Sequence, residues 1–346
     1  MRKDYKCEGC GGTMLFDPER QLIACEYCEK TSNIGKPIEE RKIRVPYSVD
    51  LKYEGYKDAK RLYECNSCKT RMASCLDTPV TRCPSCGSND IFESQADGSH
   101  PMNIIPFSVS KKVGSSLFNK WIKSRKFAPN DLKKMAKLQK ISGMYVPVYI
   151  FDLDAHTDYS ATCVEVHEST DFKGRKTSHS HTYHVSESED KHFDDYVLTA
   201  NDAVPSYVFK KMKGFDLEGA RGYVSDYMLG FVGVGTNMNI HSAKNMMVEK
   251  VTREEHDRLK SRLHARYDEV RFFRADTTID NIYNTYCYVP VWANHYKYKN
   301  KDYHCYINGQ TGKVYGKSPK SFWKILFFIL GLAGAVGFLA WFFSNF

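Results

Sequence analysis

Eight cysteines fall into two clusters with one spacing, Cys7-x2-Cys10-x14-Cys25-x2-Cys28 and Cys65-x2-Cys68-x14-Cys83-x2-Cys86. Paired Cys-x-x-Cys knuckles with matching gaps put four thiolates around one point, the donor set of a tetrahedral zinc site. Cys10 precedes Gly11 and Gly12, and Cys86 precedes Gly87. Such small residues suit a knuckle whose backbone amides must turn toward the sulfurs. The chain is therefore expected to hold two Zn2+ ions. With four protein thiolates a zinc site is closed, so the metal's expected role is structural and not catalytic. Zinc ribbons serve nucleic acids and proteins equally well, so the cysteines alone name no activity.

Other residue types that could do chemistry are weaker signals. Asp152, Asp154, His156 and Asp158 alternate with apolar residues, which places them on one face of a strand and leaves a cation or acid/base site open. A His-rich arm follows, with His179, His181 and His184 returning past His167, and a metal or pH-sensing cluster stands beside a plain surface hairpin as its reading. Cys163, Cys287 and Cys305 lie in strand-like surroundings and read as small core residues. Cys75, within the second cluster, reads as a loop thiol, with a spare metal ligand as the alternative. There is no G-x4-G-K-[ST] loop, no HExxH, no GxSxG and no dinucleotide fingerprint. The expectation is a protein that is not an enzyme.

The elements that must carry these residues follow from hydropathy and charge. Ile325 to Phe343 contains no charge and, with Phe322 and Trp323, gives roughly 20 apolar residues, enough to cross a bilayer core of about 30 Å. Lys313, Lys317, Lys320 and Lys324 precede it, and Trp323 and Trp341 stand near its ends. The positive-inside tendency predicts a tail-anchored, single-pass protein of the cell membrane with its bulk in the cytoplasm. No N-terminal signal peptide is read ahead of the first knuckle, and thiolate ligands agree with a reducing compartment. Gly331/Ala335 and Ala333/Gly337 have the spacing of close helix–helix contacts, which leaves homo-oligomerisation through the anchor open.

The net charge of +9 comes from 50 basic and 41 acidic residues. Residues 103–143 contain Lys111, Lys112, Lys120, Lys123, Arg125, Lys126, Lys133, Lys134, Lys137 and Lys140 against one acid, Asp131, so the rest of the chain is balanced. This stretch predicts two short helices. Ser115 or Ser116 would cap the first, whose apolar side is Leu117, Phe118, Trp121 and Ile122. The second begins at Pro129 and repeats Leu132, Met135, Leu138 and Ile141. Its lysine face suits anionic lipid, a phosphate backbone or plain solvent.

Beyond residue 143 the chain is rich in Tyr, Val, Thr and His with strand-like alternation, and Tyr145-Val146-Pro147-Val148-Tyr149 recurs as Tyr288-Val289-Pro290-Val291-Trp292. Two related strand pairs in one sheet are expected. The prolines argue for edge strands or strand beginnings. A hairpin over about 160–168 and 176–187 turns at Asp171-Phe172-Lys173-Gly174. A helix spans 243–267, and a tyrosine-rich hairpin over 295–307 turns at Asn300-Lys301. The predicted fold is α+β: a ribbon over 1–35, a linker over 36–57, a second ribbon over 58–96, a basic helical collar over 97–142, a β-rich body with one or two helices over 143–316, and an anchor over 321–343.

In order, the Cys-x-x-Cys ribbons, Phe118…Trp121…Phe127-Ala128-Pro129, Gly143-x-Tyr145-Val146-Pro147 with Phe151-Asp152, Gly230-Phe231, and Ile307-Asn308-Gly309-Gln310-Thr311-Gly312-Lys313 resemble the bacterial, mainly Gram-positive, zinc-ribbon membrane proteins. Their ribbons are often labelled as similar to transcription factor IIB. Some members are named after the primosomal replication helicase, but the missing nucleotide loop here speaks against a helicase. The resemblance covers most of the chain up to about Gly316 and implies architecture and zinc, without an activity. The leading expectation is a membrane-tethered adaptor whose ribbons hold a protein partner. The alternatives are nucleic-acid binding through ribbons and collar, and a hydrolase built on the Asp152/Asp154/His156 or His179/His181/His184 groups.

Overall fold

The computed structural model describes residues 5–37, 43–48, 61–76, 80–93, 101–135, 141–170, 174, 176–201, 204–212 and 214–345. The chain is α+β. Short strands open it: β1 (Met14–Asp17), β2 (Leu22–Cys25), β3 (Thr31–Ser32), β4 (Val45–Pro46), β5 (Arg61–Cys65), β6 (Arg71–Ser74), β7 (Ile91–Glu93) and β8 (Asn103–Ile104). The helices α1 (Lys111–Ser124) and α2 (Asn130–Met135) follow. The body then contributes β9 (Ser142–Thr170), β10 (Lys176–Thr199), α3 (Ser206–Lys211), β11 (Arg221–Gly222), β12 (Val232–Val234), α4 (Ile240–Arg266), β13 (Glu269–Tyr298), β14 (Lys301–Asn308) and β15 (Val314–Gly316), before α5 (Phe322–Asn345).

The two Tyr-Val-Pro segments are paired directly with each other. β9 and β13 run antiparallel with Tyr288 opposite Pro147, Val289 opposite Val146 and Pro290 opposite Tyr145. Each strand then pairs with a hairpin partner, β10 beside β9 and β14 beside β13, and each takes a short parallel strand just before its proline. β12 pairs in parallel with Met144 and Tyr145, and β8 with Cys287 and Tyr288. The internal repeat of the sequence is thus a pseudo-twofold in the sheet.

The prolines are not on edge strands, which corrects the expectation from the sequence. Both sit in central strands where one neighbour ends and the next begins: β12 stops at Tyr145 and β10 starts at Val148, while β8 stops at Tyr288 and β14 starts at Val291. The Pro147 carbonyl accepts from Ala200 N–H at 2.9 Å and the Pro290 carbonyl from Gly309 N–H at 2.8 Å. A residue's N and C=O point to the same side of a strand, so each proline nitrogen faces that gap and no β9–β13 ladder bond is lost.

Around this pair lies the core. Phe107 stacks on Phe231 at 4.1 Å between ring centroids, with Trp292 4.9 Å from Phe107 and Tyr145 at 5.1 Å. Trp292 donates its indole N–H to the Val109 carbonyl at 2.9 Å, so its one polar atom is satisfied in the interior. Gly143 and Gly309, from two of the short motifs, both press on this stack. A Cβ would stand 2.6 Å from Phe231 at the first and 2.5 Å from Phe107 at the second.

Beyond the core, β9, β10 and β13 continue as a long three-stranded blade, longer than the predicted hairpin. α4 packs on one side of it. Asn239 caps α4 by accepting from Ser242 N–H at 2.8 Å, and Ala243, Met247, Val251, Leu259 and Leu263 form its buried stripe. Glu255 lies in the same stripe, buried, and is held by Lys191 at 2.6 Å and Arg258 at 2.7 Å.

The collar departs from expectation at its start. Ser110 caps α1, accepting from Val113 N–H at 3.4 Å, one turn before Ser115 or Ser116, and Gly114 faces Ile141 and Trp292. α2 is described as far as Met135, and Ile141 is not helical and lies buried in the core. Lys137, Lys140, the 171–173 turn and most of the linker fall outside the described residues, as do the side chains of Lys133 and Lys134. The β13–β14 hairpin turns at Lys299-Asn300, both with positive φ, one residue earlier than expected.

Candidate metal centres

In each ribbon the four sulfurs come together, all ligand atoms lying within 4.8 Å of one another. Cys7 and Cys28 sulfurs are 3.5 Å apart, as are those of Cys10 and Cys25. In the second cluster Cys65–Cys86 and Cys68–Cys83 are both 3.7 Å. Four sulfurs at the usual Zn–S distance of about 2.3 Å, set tetrahedrally, stand roughly 3.8 Å from each other. The donor sets therefore fit a zinc-sized, thiophilic metal at Cys7, Cys10, Cys25 and Cys28 and at Cys65, Cys68, Cys83 and Cys86. With four sulfurs facing one point, no coordination position is left for a substrate.

The knuckles share one backbone device. The residue after the second cysteine of every pair has left-handed φ: Gly11 at 72°, Glu29 at 59°, Lys69 at 56° and Gly87 at 78°. That conformation folds each loop back on itself, so Gly11 N–H reaches Cys7 O at 2.7 Å, Lys69 N–H reaches Cys65 O at 2.8 Å and Gly87 N–H reaches Cys83 O at 2.9 Å. Backbone amides are thereby turned toward sulfur. Those of Cys28 and Tyr27 draw the Cys25 thiol down to about 6, and those of Gly9 and Cys10 lower Cys7. Burial instead pushes Cys86 up to about 11 and raises Cys83.

Neither ribbon is a loose bead. Phe16 of β1 donates its N–H to Leu229 O at 3.1 Å and contacts Tyr227 and Phe231, while the Tyr5 hydroxyl donates to Asp226 at 3.0 Å. The second ribbon is stitched into the body sheet, β6 pairing with β12 through Ala73–Gly233 and Met72–Val234. His295 adds a side-chain clasp to Pro84, between Cys83 and Cys86.

The weaker candidates are distributed as follows. Asp152 is buried against Arg44 at 2.9 Å, apart from its neighbours in sequence. Asp154 pairs with His192 at 2.6 Å and His156 with Asp190 at 2.6 Å, on the exposed side of the blade away from α4. His192 and Asp190 escaped the sequence reading because they lie on β10, more than thirty residues away, and only register brings them across. Asp154, with Asp194, holds His192 above the usual imidazole range, and Asp190 does the same for His156. His181 meets His167, with ring centroids 5.7 Å apart. His184 lies across from Thr162, on the strand's other face from His179 and His181. Cys163, Cys287 and Cys305 are buried, and so is Cys75, which packs in the main core and joins neither metal cluster.

This chain is similar to the "Uncharacterized protein YdjG" of Bacillus subtilis (strain 168), 27 % identical over 344 residues that span 97 % of this chain and 95 % of that one. No protein-family model matches. No solved structure matches either.

Proposed function

We propose that this chain is a membrane-tethered binding protein of the zinc-ribbon type, holding a protein partner at the cytoplasmic face of the cell membrane. α5 supplies the tether: Phe322–Phe343 is long and apolar enough to cross a membrane and none of it is buried against the protein. The two closed four-cysteine sites serve the ribbons as folding metal and leave no position for catalysis. The reading agrees with the resemblance to bacterial zinc-ribbon membrane proteins.

The observation that carries partner binding is Tyr27. It lies inside the Cys25–Cys28 knuckle and is 77 % exposed, although it packs so closely over Gly12 that a Cβ there would stand 2.5 Å from its ring. A large aromatic held rigid and open to solvent is the side chain that dominates protein interfaces, because little entropy is lost when it is covered. Phe92, 42 % exposed, gives the second ribbon a similar group.

A photo-crosslinking residue in place of Tyr27, in full-length chain in its own membrane, tests this. Expected is one discrete protein adduct that disappears with Cys10→Ser, while the chain stays in the membrane fraction. Adducts to nucleic acid would move the reading to nucleic-acid binding at the membrane. No adduct at either Tyr27 or Phe92 would sink partner binding through the ribbons.

A further inference from the structure

The turn between α1 and α2 is fastened to the base of α5. Ser321 N–H donates to Phe127 O at 2.7 Å, and the Lys324 ammonium donates to Ala128 O and Asn130 Oδ1, both at 2.7 Å. Phe127 also meets Phe328 edge-on, ring centroids 5.4 Å apart. Phe328 is six residues beyond Phe322, about 9 Å along the axis at the helical rise of about 1.5 Å per residue. The turn therefore runs beside the first turns of the apolar helix.

A third segment reaches the same place. The Tyr298 hydroxyl donates to both oxygens of Asp131, at 2.8 and 3.0 Å, and fixes the β13–β14 tip against α2. Asp131 is the one acid of the basic stretch, and Tyr298, with Lys299 nearby, holds its carboxyl below the usual range. Lys299 and Lys301, from the tip, thus join Lys123, Arg125 and Lys126 from the end of α1, with Lys320 ahead of α5, all exposed. Arg125 lies over the Trp121 ring at 5.0 Å, which keeps the guanidinium at this end of the helix.

We propose that the α1–α2 turn, the β13–β14 tip and the start of α5 form one interfacial surface that binds anionic phospholipid headgroups, with Phe127 seated at the headgroup–acyl boundary. The proposal rests on α5 being the membrane tether. It differs from a uniform lysine face in two respects: the surface includes the 298–301 tip, far away in sequence, and it excludes Lys111 and Lys112 at the distant end of α1. Cations beside an aromatic wedge match a bilayer bearing anionic lipid, where Coulomb attraction and apolar burial act together.

Hydrogen exchange of the full chain in lipid nanodiscs tests this, comparing phosphatidylcholine alone with phosphatidylcholine containing phosphatidylglycerol. Amides of 121–130 and 297–302 should slow several-fold together only where phosphatidylglycerol is present, with α4 unchanged. Lys299→Glu with Lys301→Glu should cancel the slowing in both segments and leave α5 protected. Equal exchange in the two lipids would overturn the proposal. So would equal slowing by free glycerol phosphate or by RNA over phosphatidylcholine discs. An α5 that exchanges freely in both discs would instead overturn the tether reading.

Discussion

His295 donates its Nε2–H to the carbonyl of Pro84 at 2.6 Å and thereby ties the Cys83–Cys86 knuckle to the β13–β14 hairpin. Its Nδ1 lies 2.5 Å from Nδ1 of His304, and the pairing is consistent when His295 is neutral and His304 is the donor there. Burial pushes the His295 imidazole down to about 4, in keeping with the neutral form. Arg82 adds a bond to the His295 carbonyl at 3.2 Å. His295→Leu removes the donor and leaves the Pro84 carbonyl in an apolar contact, at a cost of about 1–3 kcal/mol. Zinc should then leave the second ribbon faster than the first in a chelator time course. Equal acceleration at both ribbons would contradict the clasp.

Two of the four knuckles carry side chains where glycine is the natural residue. Glu29 and Lys69 have left-handed φ, a conformation that costs a non-glycine residue about 1–2 kcal/mol. Glu29→Gly and Lys69→Gly should each relieve part of that, offset by the greater freedom of glycine in the unfolded chain. A net gain of about 0.5 kcal/mol would roughly double metal retention against a competing chelator. Loss of retention in either variant would show that the side chain itself matters.

Phe231 joins ribbon and body, lying between Phe16, Phe107 and Trp292. Phe231→Ala would open a cavity at that junction and cost about 3–5 kcal/mol of stability. Because Phe16 loses its support, the first ribbon should become protease-sensitive at a denaturant concentration where the blade remains intact. Loss of the two together would mean that they unfold as one unit.

His156 and His192 give the pH dependence. Both imidazoles titrate above the ordinary value because Asp190 faces the first, and Asp154 and Asp194 the second. A raised folded pKa contributes stability that is fully present below the unfolded value, near 6.5, and is lost as pH rises through the folded value. The pairs are exposed, so the effect is small and screened by salt. NMR titration should find both imidazoles above the ordinary range, and Asp190→Asn should return His156 toward it. A titration of His156 at the ordinary value in the parent chain would refute the pairing.

How much was legible depended on how far apart in the chain the partners lie. Both metal sites, the long exposed helix and α4 could be read from spacing because each is fixed within about thirty residues. Local spacing could not give Asp190 as the partner of His156 or Asp154 as that of His192, since each pair bridges β9 and β10. It also misplaced the α1 cap, since Ser110 precedes the apolar repeat by a turn and looks like loop. Pro147 and Pro290 misled because a missing N–H suggests a free edge or a strand's beginning, when a gap between two successive neighbours serves equally well.

The sequence by itself determined the two four-cysteine clusters, the apolar helix, the concentration of charge and the repeat of Tyr-Val-Pro. Sulfur spacing, hydropathy and charge act over one or two turns of chain and need no fold to be read. Only the tertiary structure decided that the two repeats pair with each other, that β12 joins the second ribbon to the body, and that Phe127 and Tyr298 gather the basic residues at the base of α5. Those contacts join residues tens to hundreds of positions apart. Their geometry is set by which apolar faces bury one another, a property of the packed chain and of no single segment.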